Sequence, residues 1–484
     1  MREVPYSELK WAYLNHPETK KSITPLECLK FQKTINLSHR NYASLRRFVK
    51  EKTGCRLASQ KEVLAEKKKT YPKNISATDT EVKVPLQNVA DITASRLLEK
   101  KCLDREKPLK DLVLIGKVGG DGQGNHTIYN QADNQRGTNF YTMAYSPLML
   151  KSGDEIIWSA KEPNSRDNCR VISQTWAKET EPFMKEKTSD LQEQIDNLVQ
   201  TDISDGIKVK HVILPVMYDG KSINCMAKVH MKKHKIADTL SYQACHLCNK
   251  NMSQFTNSFD SDIIPEMKDM LKNGPAILHT QIRVFEDLVK ASAWALTKKF
   301  THSKMTFKTA MKLLQKRFLS RQRGLNVRIF FPQPNSGNSN NGNTVRRCFK
   351  DPEKFANCLG VSVRLISDTG KLISKLTDQT TIHDPKLFHK EAYAVWKRYR
   401  KELGPYKKMC TTYHRLLCHG AAYLQFAKDL GIPSGCLSES AIEHLNSLNR
   451  YNRQYLSRKT SARDQNLDMF RRNIWTTDPV LNSV

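Results

Sequence analysis

The chain has no apolar run approaching the roughly 20 residues that a membrane-spanning helix needs. Its start, Met1-Arg2-Glu3-Val4-Pro5, also lacks the apolar core of a secretion signal. A soluble, intracellular protein without a membrane partner is therefore expected. The 12 cysteines follow no disulfide framework, so in a reducing compartment most read as buried thiols, and only closely spaced pairs suggest metal. Acidic residues are scarce: 49 Asp and Glu face 79 Lys and Arg, a net charge of +30. That field attracts polyanions, and counterion release makes nucleic acid the expected partner, with an anionic membrane surface the weaker alternative. A disordered tail is excluded by ordinary hydrophobic (39%) and aromatic (8%) content, and 484 residues suffice for two or three domains with sizeable cores.

What is there centres on Lys117-Val118-Gly119-Gly120-Asp121-Gly122-Gln123-Gly124, which follows the apolar run Leu112-Val113-Leu114-Ile115. A strand ending in a glycine-flanked acid presents a carboxylate at a sheet edge, where small neighbours let a metal and a phosphate approach. Alone, the segment reads first as a glycine turn with a solvated Asp, and only the rest of the chain shifts that reading. Further strands are expected at Phe140 to Tyr145, Glu155 to Ser159 and Val209 to Met217, the last ending at Tyr218-Asp219-Gly220, with an amphipathic stretch from Thr175 to about Gln200 before it. Three strands, a helix and a strand, with acids ending the first and fourth strands, is the order of an RNase H-like fold, which sets those strands side by side and brings Asp121 to Asp219. Paired carboxylates can hold two divalent metals for phosphodiester chemistry, and oxygen ligands suit Mg²⁺ or Mn²⁺.

Basic helices flank this core. Ser38 opens one in which Leu45, Phe48 and Val49 share a face while Arg46, Arg47 and Lys50 project from the other. Ser59 with Glu62 marks the capping box of a second. Such helices suit DNA backbone binding, or are solvated charged faces. Later, Cys245-His246-Leu247-Cys248 supplies a C-x-x-C pair, and His414 and His419 lie on a helix expected from Thr411 towards Phe426; two thiolates and two imidazoles match a closed zinc site. Between the halves come helix-like segments, Ile277 to Leu296 and Thr306 to Arg323, and a turn-rich loop running through Asn343 into Arg346 and Arg347, where helix N–H groups and arginines suit phosphate. Near the end, Leu437 to Glu443 starts a helix that continues into Arg450 and Arg453. Glu439 and Glu443 lie one turn apart on it, so either can reach inward as a third acid.

These segments, in this order, resemble Transib transposases and the related catalytic core of the V(D)J recombination-activating endonuclease subunit. The resemblance runs from near Ile23-Thr24-Pro25 to Asp478-Pro479. It implies a nuclear DDE transposase or recombinase that acts as a homodimer on double-stranded DNA with terminal inverted repeats, nicks it, forms hairpins on flanking DNA and joins the excised 3′ ends to target DNA. By position, Asp121, Asp219 and Glu443 would be the catalytic acids, holding two Mg²⁺ or Mn²⁺, with Glu443 chosen over Glu439 by its register to Asn446. Cys245, Cys248, His414 and His419 would hold structural Zn²⁺. DNA contacts are implied at His39, Arg40, Arg46, Arg47, Lys50, Asn343, Arg346, Arg347, Arg450 and Arg453. They are also implied at Tyr406, where Pro405-Tyr406 replaces the Pro-Trp of Transib relatives and either ring can stack on a flipped base.

The implied fold class is α/β: an RNase H-like catalytic core, a mixed sheet with flanking helices, carrying a large, mostly helical zinc-binding insertion and an N-terminal helical dimerisation and DNA-binding region. The expected division is an N-terminal segment (1–22), the dimerisation and DNA-binding region (23–75), a linker (76–110), the first part of the core (111–235), the insertion (236–430) and a C-terminal helix with tail (431–484). The vertebrate relative's long amino-terminal region, with its ubiquitin-ligase zinc module, is expected to have no counterpart. Two rivals stand beside this reading: a domesticated, non-cleaving DNA-binding protein of the same fold, and an RNase H-like nuclease without strand transfer.

Overall fold

The computed structural model describes residues 22–101, 109–124, 139–204, 206–236, 244–299, 305–322, 324–330, 340–458 and 460–482. The expected N-terminal segment therefore lies outside the described residues apart from its last position. Ten strands occur among them: β1 (Ser22–Ile23), β2 (Arg56–Leu57), β3 (Ser76–Ala77), β4 (Glu81–Lys83), β5 (Leu112–Gln123), β6 (Phe140–Ser152), β7 (Glu155–Ser159), β8 (Arg170–Thr175), β9 (Thr201–Ser204) and β10 (Ile207–Tyr218). β1 and β2 pair in parallel, and the other eight form one mixed sheet of order β3-β4-β8-β6-β5-β10-β9, with β7 paired to β6 off this path.

β5 is almost wholly buried, paired antiparallel to β6 on one edge and parallel to β10 on the other, and it opens on the apolar run Leu112 to Ile115 instead of alternating, as a strand covered on both faces does. The parallel register sets Tyr218 against Gly120. Asp121, one residue beyond Gly120, and Asp219, one beyond Tyr218, thus emerge at the same end of neighbouring strands. A connection from an antiparallel meander to a parallel neighbour needs a crossover, and the helix Glu181–Asp196, capped by Thr180, supplies it.

One strand differs from the sequence reading. The third strand along the sheet is β8, not Glu155–Ser159; β7 takes the far end of the same β6 edge at residues 149–152, while β8 takes 141–145. All six residues of β8 are buried, Arg170, Ser173, Gln174 and Thr175 among them, so no polar–apolar alternation marked it.

The glycines at the end of β5 also serve otherwise than expected. A side chain at Gly119 would run into the Met217 backbone of β10, and one at Gly122 into the Glu179 carboxyl. The space they leave is filled by protein, and it permits the close β5–β10 approach.

Apolar burial divides between two main clusters. One surrounds the sheet, with Val118, Tyr145, Val216 and Met217 joined by Ile442 and Leu445 from the helix Ser440–Tyr451. The other lies among the helices from Ile277–Lys299 to Gly420–Asp429, with Phe285, Phe355, Trp396 and Leu417 at its heart. At the N-terminal side, the helices Pro25–Thr34, His39–Thr53 and Gln60–Lys68 enclose a small core with Trp475. Ser38 and Ser59 cap as the sequence predicts, Ser59 reciprocally with Glu62. No helix among the described residues is long and apolar enough to cross a membrane.

Candidate active site and metal centre

Asp121 is half-buried at the end of β5, and Asn446 of the helix Ser440–Tyr451 donates to its Oδ2 at 2.7 Å. Asp219 caps the helix Gly220–Lys233, accepting from the Ser222 N–H at 2.8 Å. Glu443, in the first turn of Ser440–Tyr451, lies 3.6 Å from His279 Nε2. Removal from water, then the charges of Glu443 and Asp219, push the Asp121 carboxyl well above its ordinary range. Glu443 is raised by burial, partly opposed by His279, with Glu439, Asp219 and Glu179 adding to the rise. The three sequence-predicted acids thus share one electrostatic neighbourhood, in which simultaneous ionisation is costly without a cation.

The structure adds groups that the sequence reading passed over. Glu179, beside Gly122, joins the acids and is raised by burial and by Asp219; Lys221 donates to its backbone oxygen at 2.6 Å. Glu439, the other acid of this helix start, is paired with His279. It is 1% exposed and accepts from both the backbone N–H and Nδ1 of His279, each at 2.9 Å. Burial alone would raise Glu439, but the His279 contacts hold its carboxyl below the ordinary value. Burial works against a charge on His279, yet Glu439, Glu443 and Asp219 lift its pKa to about 9. Nothing local in Glu179 or His279 signals a role.

Lys117 was visible as a charge inside an apolar strand. Fully buried, it donates to Asn164 Oδ1, Cys436 O and Ser438 O at 2.7–2.8 Å. It therefore ties β5 to the segment that leads into the Glu443 helix. Burial lowers its pKa to about 8.

Cys245, Cys248, His414 and His419 converge, their ligand atoms all within 4.8 Å of one another; among the described residues this is the one group of His, Cys, Asp and Glu so closely gathered. The acids around Asp121 are spaced more openly. The Cys245 turn is closed by Cys245 N–H to Lys250 O and Asn249 N–H to Cys245 O, both 2.8 Å. Phe255 stacks on His414 with ring centroids 4.0 Å apart. Five residues of α-helix would set the two histidines about 140° apart. Instead the chain forms a π turn over Arg415–His419, bringing the rings to 5.0 Å. His414 Nδ1 and both ring nitrogens of His419 are buried without a hydrogen-bond partner. Two thiols and two imidazoles with unsatisfied nitrogens fit a structural metal such as zinc.

The expected DNA contacts divide. Arg40, Arg47 and Lys50 are exposed on the helix His39–Thr53, whereas Arg46 is half-buried and donates to Leu57 O at 3.2 Å, and Phe48, expected on the inner face, is 42% exposed. The His39 side chain lies outside the described residues. Asn343, Arg346 and Arg347 sit exposed in the first turns of Gly342–Lys350, with Arg346 donating to Asn343 at 2.6 Å; the loop at 331–339 lies outside. Tyr406 is half-buried, and exposed Arg450 donates to Gly124 O at 3.3 Å. Arg453 is turned inward: it is 8% exposed and stacks over Trp176, 4.3 Å from the ring centre. The π segment Asn452–Leu456 in which it lies broke the helical facing assumed from sequence.

No protein-family model matches the chain, and no curated protein matches it. Among solved structures it is similar to a chain of the Drosophila P element transposase strand transfer complex, at TM-score 0.31 and 9% identity over 99% of this chain and 96% of that one. A superposition this loose carries no argument about fold or function.

Proposed function

We propose that the chain is a metal-dependent DNA strand-transfer enzyme of the DDE type, built on an RNase H-like core. The observation that carries this is the meeting of Asp121, from the end of β5, with Asp219, from the end of its parallel neighbour β10, and with Glu443 from a helix more than 200 residues on. Two divalent cations, Mg²⁺ or Mn²⁺, held by these carboxylates would supply an activated attacking oxygen and a stabilised leaving oxygen. Asp121 and Asp219 offer oxygen ligands from a rigid sheet, Asn446 fixes the rotamer of Asp121, and Glu443 closes the site from the helix. His279, held by Glu439, orients Glu443 and balances its charge.

The metal bound at Cys245, Cys248, His414 and His419 is zinc in this reading, and it ties the turn after the second acid to the helices preceding the third. The net charge of +30 supports DNA as substrate. The chain acts in the nucleus as a homodimer on paired terminal inverted repeats, because two ends must be cut and joined together, and it forms hairpins on flanking DNA. The stretch 23–75 serves DNA binding and dimerisation, 111–235 with 431–484 forms the catalytic core, and 236–430 is the insertion. The test is incubation of the purified chain with Mg²⁺ or Mn²⁺, a labelled DNA end and a target plasmid. Nicked, hairpinned and joined products are expected; binding without cleavage refutes the proposal in favour of a domesticated DNA-binding protein, and cleavage alone in favour of a nuclease.

A further inference from the structure

Beside Asp219 a cleft of about 380 Å³ opens between the start of the helix Gly220–Lys233, the helix Ile277–Lys299 and the segment 407–415. Its walls carry Lys221, Arg283, Lys290, Lys407 and Arg415 against the acids Asp219, Glu286 and Asp287. Most of these charges are already matched. Asp287 accepts from Tyr399 Oη at 2.9 Å and is paired with Lys407. Glu286 is paired with Arg283 at 3.2 Å and also accepts from Asn340. Lys221 is engaged by Glu179.

Arg415 and Lys290 are left without a carboxylate partner among the described residues. Arg415 is only 8% exposed, and its Nε has no hydrogen-bond partner. A buried guanidinium with an unsatisfied N–H is costly unless an anion meets it, and its planar fork suits the paired oxygens of a phosphate.

We propose that Arg415 and Lys290 form a phosphodiester-binding subsite in this cleft, which takes a backbone phosphate of the DNA strand lying at Asp219. The inference rests on the strand-transfer reading for its ligand. It also gives the metal centre a second role. Arg415 follows His414 directly and begins the π turn, so a metal held by His414 and His419 would also hold the guanidinium at the cleft wall.

The experiment measures binding of a fluorescein-labelled DNA duplex of arbitrary sequence to the full, metal-loaded chain across a salt series in EDTA-free buffer with Ca²⁺, for wild type, R415Q and K290Q. Arg415→Gln is expected to weaken binding roughly tenfold or more, and each variant to flatten the slope of log K against log[salt] by roughly 0.7–0.9. Metal content measured alongside reports whether Arg415→Gln has disturbed its neighbour His414; if it has, Lys290→Gln, on a helix that carries none of the four ligands, decides by its slope alone. Unchanged slopes with a wild type that binds DNA overturn the subsite and leave the strand-transfer reading standing. A wild type that binds no DNA overturns both.

Discussion

Asn446 Nδ2 lies 2.7 Å from Asp121 Oδ2, and Asn446 O accepts from Gln123 at 2.9 Å, so one residue joins the helix of Glu443 to two positions at the end of β5. The two partners are 325 residues apart in the chain. Asn446→Ala would leave Asp121 without its orienting donor. We expect it to lower metal-dependent nicking by about 10–100-fold, the range for supporting contacts around metal ligands, with DNA binding retained. Nicking at the wild-type rate would remove Asn446 from the site.

Asp121→Asn, Asp219→Asn and Glu443→Gln should each reduce nicking of a plasmid at least about a thousandfold, with affinity for DNA little changed. Glu439→Gln should act differently, since it frees His279 rather than removing a ligand. Full cleavage by any of the first three would contradict the assignment.

A divalent cation should stabilise the folded chain, because it offsets the burial and the like-charge repulsion that raise Asp121 and Glu443. Thermal unfolding followed with and without Mn²⁺ should show a higher Tm in wild type and a much smaller rise in Asp121→Asn. Equal shifts in the two proteins would place the cation elsewhere.

His279 gives the metal-free protein a defined pH response. Its folded pKa of about 9 stands above the ordinary 6.5, so its stabilisation is complete below pH 6.5 and is lost as pH rises through 9. For this mostly buried ring the ceiling is about 3 kcal/mol. Denaturant titrations at pH 6.5, 8 and 9.5 should show that loss in wild type and a flatter profile in His279→Gln.

Metal analysis should find about one zinc per chain. Cys245→Ser should lose both the metal and several degrees of Tm, because the four ligands sit inside the helical core. A metal-free protein with an unchanged Tm would exclude the site.

The chemistry-bearing residues were legible without coordinates. The glycine-flanked Asp121, the acid ending the run from Val209, the C-x-x-C pair and the two histidines are each a local pattern, set by strand burial, turn formation or ligand type. The caps at Ser38 and Ser59 were legible for the same reason, since a helix N-terminus is satisfied within four residues.

What local pattern could not give was decided by the tertiary structure. β8 carries no alternation because both its faces are covered, and the i, i+5 histidines meet only because a π turn rewinds the helix between them. Arg453 faces Trp176 rather than solvent for the same kind of reason, a second π segment. The pairing of Glu439 with His279 spans 160 residues of chain, and the burial of Lys117 against Cys436 spans 319. Glu179 reaches the acids only because Gly122 leaves room for its carboxyl. The sequence alone named the four Cys and His residues that converge. Long-range packing decided which acid turns inward, which cation stays free, and which charge becomes part of the core, because those outcomes depend on what covers each face.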